Sequence, residues 1–234
     1  RCMLKFSPKH RRINGACCTR SKTMPDFKPN DGRLYAPATE RNRDAILNVL
    51  DRVLPNPGTV LEIASGTGEH ASFFAPKLAP RRWLPSDVSD PMLKSITAWQ
   101  QATHARYLLP AINLDVCQSP WPVELDDKRA IDAIVNINMI HIAPWRACET
   151  LMTGAGRILP DNGVVYLYGP FKRDGEHTAS SNASFDIWLK EQNTDWGVRD
   201  LEAVEAAAKT HGLILQETID MPANNLSLVF YKRA

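Results

Sequence analysis

The residues with the clearest chemical pattern lie in LEIASGTGEH, residues 61–70, where two glycines stand one residue apart. This segment joins the apolar run TVLEIA to EHASFFAPKL, a stretch that can form a helix. A glycine turn between a strand and a helix lets the backbone bend sharply and approach a ligand without side chains in the way. The pattern predicts a nucleotide-binding loop that includes Ser65, Gly66 and Gly68.

The glycines alone fit two classes of cofactor. Gly66, Gly68 and Ala71 satisfy the G-x-G-x-x-G/A pattern of NAD-binding proteins. Glu62 instead resembles the acid of the E/D-x-G-x-G-x-G motif of methyltransferases, which helps to hold the cationic methionine end of S-adenosylmethionine. Ala64 stands where that motif has its first glycine. A carboxylate beside the loop disfavours an anionic pyrophosphate, so we expect S-adenosylmethionine at this loop.

Two acids that follow strand-like runs are candidates to hold the adenosine part of a cofactor. Asp87 ends RRWLPSD, where either cofactor would place an acid for the ribose hydroxyls, although a turn or helix-cap aspartate is the alternative. Asp115, in INLDVC, could accept from the adenine amino group with Val116 beside the ring, or be an ordinary loop acid. Pro85 indicates that the strand's hydrogen-bond ladder has already ended there.

The longest apolar run, IDAIVNINMI at residues 131–140, contains two asparagines. Burying an unpaired amide costs about 1–3 kcal/mol, so both should face a crevice or a ligand. We assign Asn136 to the cofactor site and Asn138 to the acceptor site. His141 follows directly and is the candidate catalytic base, because histidine ordinarily titrates near neutral pH. A structural histidine bonded to a nearby carbonyl is the alternative.

A long polar segment from Tyr168 to Trp196 follows the apolar run GVVYLYG. Long connections in compact domains are often binding loops or lids. We expect this segment to cover the acceptor through Tyr168 and Phe171. Four residues of the opening segment could close the pocket from the opposite side, or could equally be surface residues: Tyr35, Glu40, Arg41 and Asn42. Three residues of the segment have instead the spacing of a buried helix face: Phe185, Trp188 and Leu189.

The elements that would position these residues alternate between helices and strands. An amphipathic helix opens the fold, with Thr39 as its candidate N-cap and the region Pro55–Pro57 as its end. The apolar runs that follow are typical of parallel strands covered by helices on both faces. LILQETIDM and NLSLVFYKR, near the C-terminus, are separated only by a short turn, so they must pair antiparallel. We predict an α/β Rossmann-like three-layer sandwich with a seven-stranded, mostly parallel sheet that ends in an antiparallel hairpin.

That hairpin is the hallmark of class I methyltransferases, whereas an NAD-binding domain would place a helix between its last strands. The motifs SGTGEH, WLPSD, NINMIHIAPW, YGPFKRDGEHT, SNASFD, DWGVRD and MPANN occur in this order and resemble the methyltransferase-like 26 family. The resemblance runs from about Asp31 to Tyr231 and includes APATERNRDAI in the opening helix. It implies the class I fold and a cofactor site, and it supplies no acceptor.

The charge is distributed unevenly along the chain. Residues 1–23 hold seven of the 28 basic residues and no acid, which leaves 21 basic against 26 acidic residues in the remainder. We expect residues 1–23 to be a disordered basic tail and residues 24–234 to be a single domain, which Met24 could open. The acidic body offers no broad electrostatic footprint for nucleic acid.

The composition limits compartment and function further. The five cysteines show neither a disulfide framework nor a zinc pattern, which favours a reducing, cytoplasmic compartment, with organellar targeting by the tail as the alternative. No apolar run approaches the roughly 18 residues of a membrane span. The sequence predicts an S-adenosylmethionine-dependent methyltransferase of a small-molecule acceptor. An NAD-dependent oxidoreductase and a non-catalytic cofactor-binding module are the alternatives.

Overall fold

A computed structural model describes residues 31–126 and 130–233 of the chain, which form six α-helices and ten strands. The helices are α1 (Pro37–Val53), α2 (Glu69–Lys77), α3 (Asp90–Thr103), α4 (Trp145–Ile158), α5 (Ser180–Gln192) and α6 (Leu201–Lys209). The strands are β1 (Thr59–Ile63), β2 (Arg82–Asp87), β3 (Ile112–Asn113), β4 (Ala133–Ile137), β5 (Val164–Gly169), β6 (Phe171–Arg173), β7 (Glu176–His177), β8 (Arg199–Asp200), β9 (Leu213–Met221) and β10 (Asn225–Lys232). The predicted basic tail, residues 1–23, lies outside the described residues.

Seven strands form one sheet in the order β3-β2-β1-β4-β5-β10-β9. The first five are parallel to one another, and β10 runs antiparallel to both β5 and β9. The predicted fold class, including its terminal hairpin, is confirmed. The strand order reverses between β1 and β4, and in open α/β sheets such a reversal leaves a crevice at the carboxyl ends of the strands.

The inner strands are buried on both faces, which explains their uninterrupted apolar runs. Along β1, Val60 belongs to a core cluster with residues of α1 and α2, whereas Leu61 and Ile63 belong to a second cluster with residues of α4 and α6. Successive side chains of a strand point to opposite faces of the sheet. The central strands are therefore fixed in register by two cores at once.

Two local expectations were wrong. Helix α1 begins at Pro37, with Ala36 as its N-cap, because proline is pre-organised for the first helical position; the expected cap, Thr39, lies inside the first turn. Pro85 lies within β2, paired with Glu62 of β1. Proline is tolerated there because its missing N–H would face the β3 side of β2, where pairing is irregular. On that side the register of β2 with its partner shifts by one residue between the Trp83 and Ser86 pairings.

The predicted polar segment forms an insertion between β5 and α6, made of α5 and the small sheet β7-β6-β8. The guanidinium of Arg199 in β8 donates to the carbonyls of Ile140 at 2.8 Å and Ala143 at 2.5 Å, which follow β4. Leu189 is buried as expected, but Phe185 and Trp188 of α5 are 38% and 50% exposed, so their assignment to a buried face was wrong. The insertion is thus fastened to the sheet beside the crevice.

Among residues 31–126 and 130–233, every helix is too short or too polar to cross a membrane.

Arg81 joins the end of α1 to the start of β2. Its buried guanidinium donates to the carbonyls of Pro55, Asp51 and Leu54 at 3.1, 2.9 and 3.2 Å. We predict that Arg81→Met lowers the free energy of unfolding by about 3 kcal/mol, because charged donors leave three carbonyls at once. Arg52→Met removes only an exposed pair with Glu217 and should cost about 1 kcal/mol or less. Urea unfolding curves measure both variants; equal losses would contradict this role for Arg81.

Candidate functional site

The loop after β1 contains three residues in the left-handed region, with φ of +54° at Ala64, +55° at Gly66 and +88° at Gly68. Non-glycine residues lose roughly 1–2 kcal/mol in this region. Ala64 therefore occupies a position whose backbone favours glycine, as the motif specifies. Ser65 holds the loop to β2: its N–H donates to the Ser86 carbonyl at 2.8 Å, and its hydroxyl accepts from the Ser86 N–H at 3.2 Å.

The two glycines of this loop have different roles. A Cβ added at Gly68 would lie 2.8 Å from the Cα of Ile96, so this glycine allows α2 to pack closely against α3. A Cβ added at Gly66 would have no heavy atom of the described chain within 4 Å, other than its own neighbours. Gly66 therefore faces open space that a ligand can enter, whereas Gly68 is explained by packing alone.

Glu62 lies beneath the loop and not in a cavity. Its Oε2 accepts from the Ser65 hydroxyl at 2.8 Å and from the Trp83 indole N–H at 3.0 Å. Burial raises the pKa of Glu62 to about 7, and these two hydrogen bonds limit the rise. The expected contact with a methionine end is not supported by this placement. Glu62 instead positions the loop by tying Ser65 to β2.

A cavity of about 330 Å³ opens at the carboxyl ends of β1 to β4, and we call it the β1–β4 cavity. Its lining comprises Ile63, Ala64, Asp87, Val88, Leu114, Asp115, Val116, Cys117, Met139, Ile142, Ala143, Pro144 and Ala147. Four predicted cofactor residues therefore meet in one cavity: Ala64, Asp87, Asp115 and Val116. They come from three separate parts of the sequence, as the crevice geometry predicts.

The two aspartates keep acceptor capacity for a ligand. Asp87 Oδ2 accepts from the Gly66 N–H at 3.0 Å, and Oδ1 accepts from the Ser89 N–H at 2.9 Å. A carboxylate has about four acceptor positions, so about two remain. Asp115 likewise accepts from the Cys117 N–H at 2.9 Å, which closes the turn around Val116. Each acid thus shapes its loop and can still bind a hydroxyl or an amino group.

Asn136 lies 1% exposed in β4, beside the last residue of β1. Its Nδ2 donates to the Ile63 carbonyl at 3.0 Å. Its Oδ1 is buried and has no hydrogen-bond partner among the described residues. An unpaired buried oxygen costs about 1–3 kcal/mol. An orphaned acceptor next to Ile63, which lines the β1–β4 cavity, is consistent with the predicted contact to a bound group.

A second cavity, of about 660 Å³, lies between α1, the ends of β4 and β5, the insertion and the β9–β10 turn; we call it the α1–α5 cavity. Its lining comprises Ala38, Arg41, Asn42, Asn138, Ile142, Tyr168, Pro170, Ser181, Asn182, Phe185, Pro222, Ala223 and Asn225. Four residues predicted at the acceptor site are among them: Arg41, Asn42, Asn138 and Tyr168. Ile142 lines both cavities, which places the two side by side.

Tyr168 is buried among polar side chains that hydrogen-bond to it. Burial raises its pKa, and hydrogen bonds from Asn42 and Asn225 limit the rise. Asn42 is itself held by His70, whose Nε2 lies 2.8 Å from Asn42 Oδ1. Burial lowers the pKa of His70 to about 4, so its ring is neutral at pH 7 and donates this bond.

Besides Glu62, Ser65, Gly66, Gly68 and Asn136, three further predicted site residues line neither cavity. His141 is 0% exposed, burial lowers its pKa to about 3, and its ring packs edge-on against Phe171 with centroids 4.9 Å apart. Burial favours a structural histidine, but not the expected bond to a carbonyl: Nδ1 accepts from the Arg199 N–H at 3.3 Å, and Nε2 has no partner among the described residues. Phe171 belongs to the hydrophobic core. Tyr35 packs against Trp99 of α3, with ring centroids 5.1 Å apart.

Sequence reasoning assigned no role to several lining residues, including Ile142, Asn182 and Asn225. The motifs SNASFD and MPANN contain the two asparagines, but they lie 43 residues apart and only the fold brings them together. Ile142 directly follows His141 and is an apolar residue with no chemical group that would mark it. An asparagine near the start of a helix or a strand, as Asn182 and Asn225 are, gives no signal of its own, because asparagine is common at such positions for local backbone reasons.

Solved structures of low sequence identity share the fold. An O-methyltransferase family protein from Burkholderia thailandensis matches with a TM-score of 0.70 and 12% identity, over 84% of this chain and 58% of that one. An O-methyltransferase family 2 protein from Planctomyces limnophilus, in complex with apigenin, matches at 0.66 and 19% over 82% and 62%. Human N-acetylserotonin methyltransferase, in complex with S-adenosylmethionine, matches at 0.65 and 12% over 84% and 53%.

The chain therefore has the class I methyltransferase fold, and it spans little more than half the length of these structures. A family model described as "Protein of unknown function (DUF938)" matches residues 33–232. The chain belongs to that family.

The two loop glycines should differ in their tolerance of a methyl group. Both have positive φ, but only Gly68→Ala also forces Cβ against the backbone of α3. We predict a loss of about 3 kcal/mol for Gly68→Ala and about 1 kcal/mol for Gly66→Ala. Thermal or urea unfolding of the two variants measures the difference, and a larger loss for Gly66→Ala would contradict these assignments.

Glu62 should make stability depend on pH. Its pKa rises from 4.5 to about 7 on folding, so the native state keeps a proton that the unfolded chain releases between these values. Stability is then complete below pH 4.5 and falls as pH rises to about 7, by on the order of 3 kcal/mol. Glu62→Gln removes this loss, so the variant should gain on wild type across that window.

The matched control is Glu217→Gln, because the Arg52 guanidinium lowers the pKa of Glu217. Its stabilisation is lost toward acid pH, which is the opposite dependence. Urea unfolding at intervals from pH 4 to 8 measures both variants. A constant difference between wild type and Glu62→Gln across this range would show that Glu62 is not protonated in the native state.

Proposed function

We propose that the protein is an S-adenosylmethionine-dependent methyltransferase that acts on a small-molecule acceptor. The observation that carries this proposal is the β1–β4 cavity, where Asp87 and Asp115 retain free acceptor positions beside the open space at Gly66. This arrangement stands at the strand reversal of a class I methyltransferase fold. The membership in the methyltransferase-like 26 family that the motifs imply is part of the same proposal.

The residues of the cavity suit the parts of the donor. Asp87 would accept from the ribose hydroxyls and Asp115 from the adenine amino group, with Val116 against the ring. The loop from Ala64 to Gly66 would approach the donor by its backbone, while Ser65 holds its shape. Carboxylates at this end of the sheet also favour a sulfonium cation over a pyrophosphate.

S-adenosylmethionine supplies a methyl group on a positively charged sulfur. What the chain must add is alignment, because holding two reactants in attack geometry removes much of the entropic barrier. Ile142 borders both cavities, and Asn138 lies in the α1–α5 cavity next to it. The acceptor would therefore bind in the α1–α5 cavity, against Tyr168 and Asn138, with its reacting atom directed toward Ile142.

A small acceptor fits the size of this cavity and the small molecules associated with two of the similar structures. About 660 Å³ falls within the usual range of small-molecule sites. Apigenin occupies one similar structure, and another is named for N-acetylserotonin.

A disordered tail at residues 1–23 and a cytoplasmic location stay predictions from the sequence.

The oxidoreductase alternative depends on Gly66, Gly68, Ala71 and Asp87. Gly68 is explained by the packing of α2 on α3, so it no longer supports an NAD site. The β9–β10 hairpin occupies the place where an NAD-binding domain has a further helix and strand. Thermal shifts with NAD and with S-adenosylmethionine separate the two readings.

Binding of S-adenosylhomocysteine tests the proposal directly. We expect calorimetry to show binding to wild type and a dissociation constant raised about 10- to 100-fold in Asp87→Asn, because a charged acceptor to the ribose is lost. Asp90→Asn, at the exposed start of α3, is the control and should bind as wild type does. No binding to wild type at high micromolar ligand would refute the proposal, and unchanged binding by Asp87→Asn would refute the site.

A further inference from the structure

The α1–α5 cavity has a charge character that points to the class of acceptor, if the proposed function holds. Arg41 and Tyr168 are the ionisable residues among its lining. Arginine is always protonated in proteins, and burial raises the pKa of the Tyr168 hydroxyl. The cavity therefore presents a positive charge at neutral pH, in contrast to the two aspartates of the β1–β4 cavity.

Arg41 differs from its neighbours in having no internal partner. Arg43 stacks on the ring of Phe73 at 4.6 Å, and Arg52 pairs with Glu217 at 2.7 Å. Arg41 is exposed in α1, and its guanidinium has neither a hydrogen bond nor an ion pair with another residue among 31–126 and 130–233. Its planar fork of donors matches a carboxylate or a phosphate.

Asn138 is the second side chain of the lining that is free to bind. Two other lining amides are held by carbonyls: Asn182 donates to the Asn224 carbonyl at 2.8 Å, and Asn225 donates to the Pro222 carbonyl at 3.1 Å. The Asn138 amide has no such bond among the described residues, and its backbone is fixed at φ +66°, which asparagine tolerates. It can therefore orient the reacting end of an acceptor.

The remaining wall is apolar. Ile142, Pro170 and Phe185 line it, and Phe185 stacks on Trp188 with ring centroids 5.8 Å apart. Partly exposed aromatic and aliphatic side chains at a cavity rim suit an aromatic or aliphatic body in the ligand. A cavity with an unpaired cation and an apolar wall suits an amphipathic organic acid as its ligand.

We propose that the acceptor is a small organic anion with an apolar body, and that Arg41 holds its anionic group. A carboxylate or a phosphate meets this requirement. The attacking lone pair forms the bond to the methyl carbon, the carbon–sulfur bond breaks, and its electron pair stays on sulfur. The sulfonium becomes a neutral thioether, and any proton on the attacking atom leaves to solvent.

The test uses the full chain and a small-molecule cell extract separated on an anion-exchange resin into retained and unretained fractions. Each fraction is incubated with protein and labelled S-adenosylmethionine, and methylated products are detected by mass spectrometry. We expect product from the retained, anionic fraction. Arg41→Gln should lower this activity at limiting acceptor about 10-fold while leaving binding of S-adenosylhomocysteine within twofold of wild type.

Arg106→Gln, an exposed arginine outside both cavities, is the control and should behave as wild type. Product from the unretained fraction, or from neither fraction by a protein that binds S-adenosylhomocysteine, overturns the anionic acceptor and leaves the proposed function standing. Weaker S-adenosylhomocysteine binding in Arg41→Gln also overturns it, because Arg41 would then hold the carboxylate of the donor. Failure of wild type to bind S-adenosylhomocysteine refutes the proposed function itself.

Discussion

The site depends on the hydrogen bonds that hold the end of β1 to β2. Glu62 Oε2 accepts from Ser65 and Trp83, while the Ser65 backbone N–H donates to the Ser86 carbonyl. These contacts fix a loop in which three residues have positive φ, one of them an alanine. Without them the backbone strain would favour another loop conformation, and the Gly66 N–H would lose its place beside Asp87. A buried acid is thus retained despite its desolvation cost, because it determines the shape of the loop.

The two cavities have separate structural origins. The reversal of strand order between β1 and β4 creates the β1–β4 cavity, as in any open α/β sheet. The α1–α5 cavity requires the insertion between β5 and α6, which Arg199 ties to the segment after β4. Within the insertion, the Asp186 carboxylate accepts from the Val198 N–H at 2.8 Å and from Lys190 at 2.8 Å. These contacts fix α5 in the position from which Phe185 reaches the second cavity.

The sequence was sufficient for the fold and for the β1–β4 cavity, because local patterns determine both. Apolar runs, turn lengths and the short C-terminal connection specify the sheet, and Asp87 and Asp115 sit at strand ends that must meet. Burial contradicts three other assignments to the site. Glu62, His141 and Phe171 have residue types that suit a binding or catalytic site, but each side chain lies in a core or a packed loop. The α1–α5 cavity combines Asn42 of α1 with Asn182 of α5 and Asn225 of β10, and no local pattern in the sequence indicates that these three distant residues meet.

The preference for the methyl donor now has a different electrostatic basis. In the sequence it depended on Glu62, whose carboxyl is buried and, with a pKa of about 7, only partly ionised at neutral pH. In the fold the acids that matter are Asp87 and Asp115, which line one cavity, while Arg41 lines its neighbour. A cationic donor and an anionic acceptor would each find complementary charge, and the field between the cavities would oppose exchange of the two ligands. Charge separation across Ile142 would therefore account for both the proposed donor and the proposed class of acceptor.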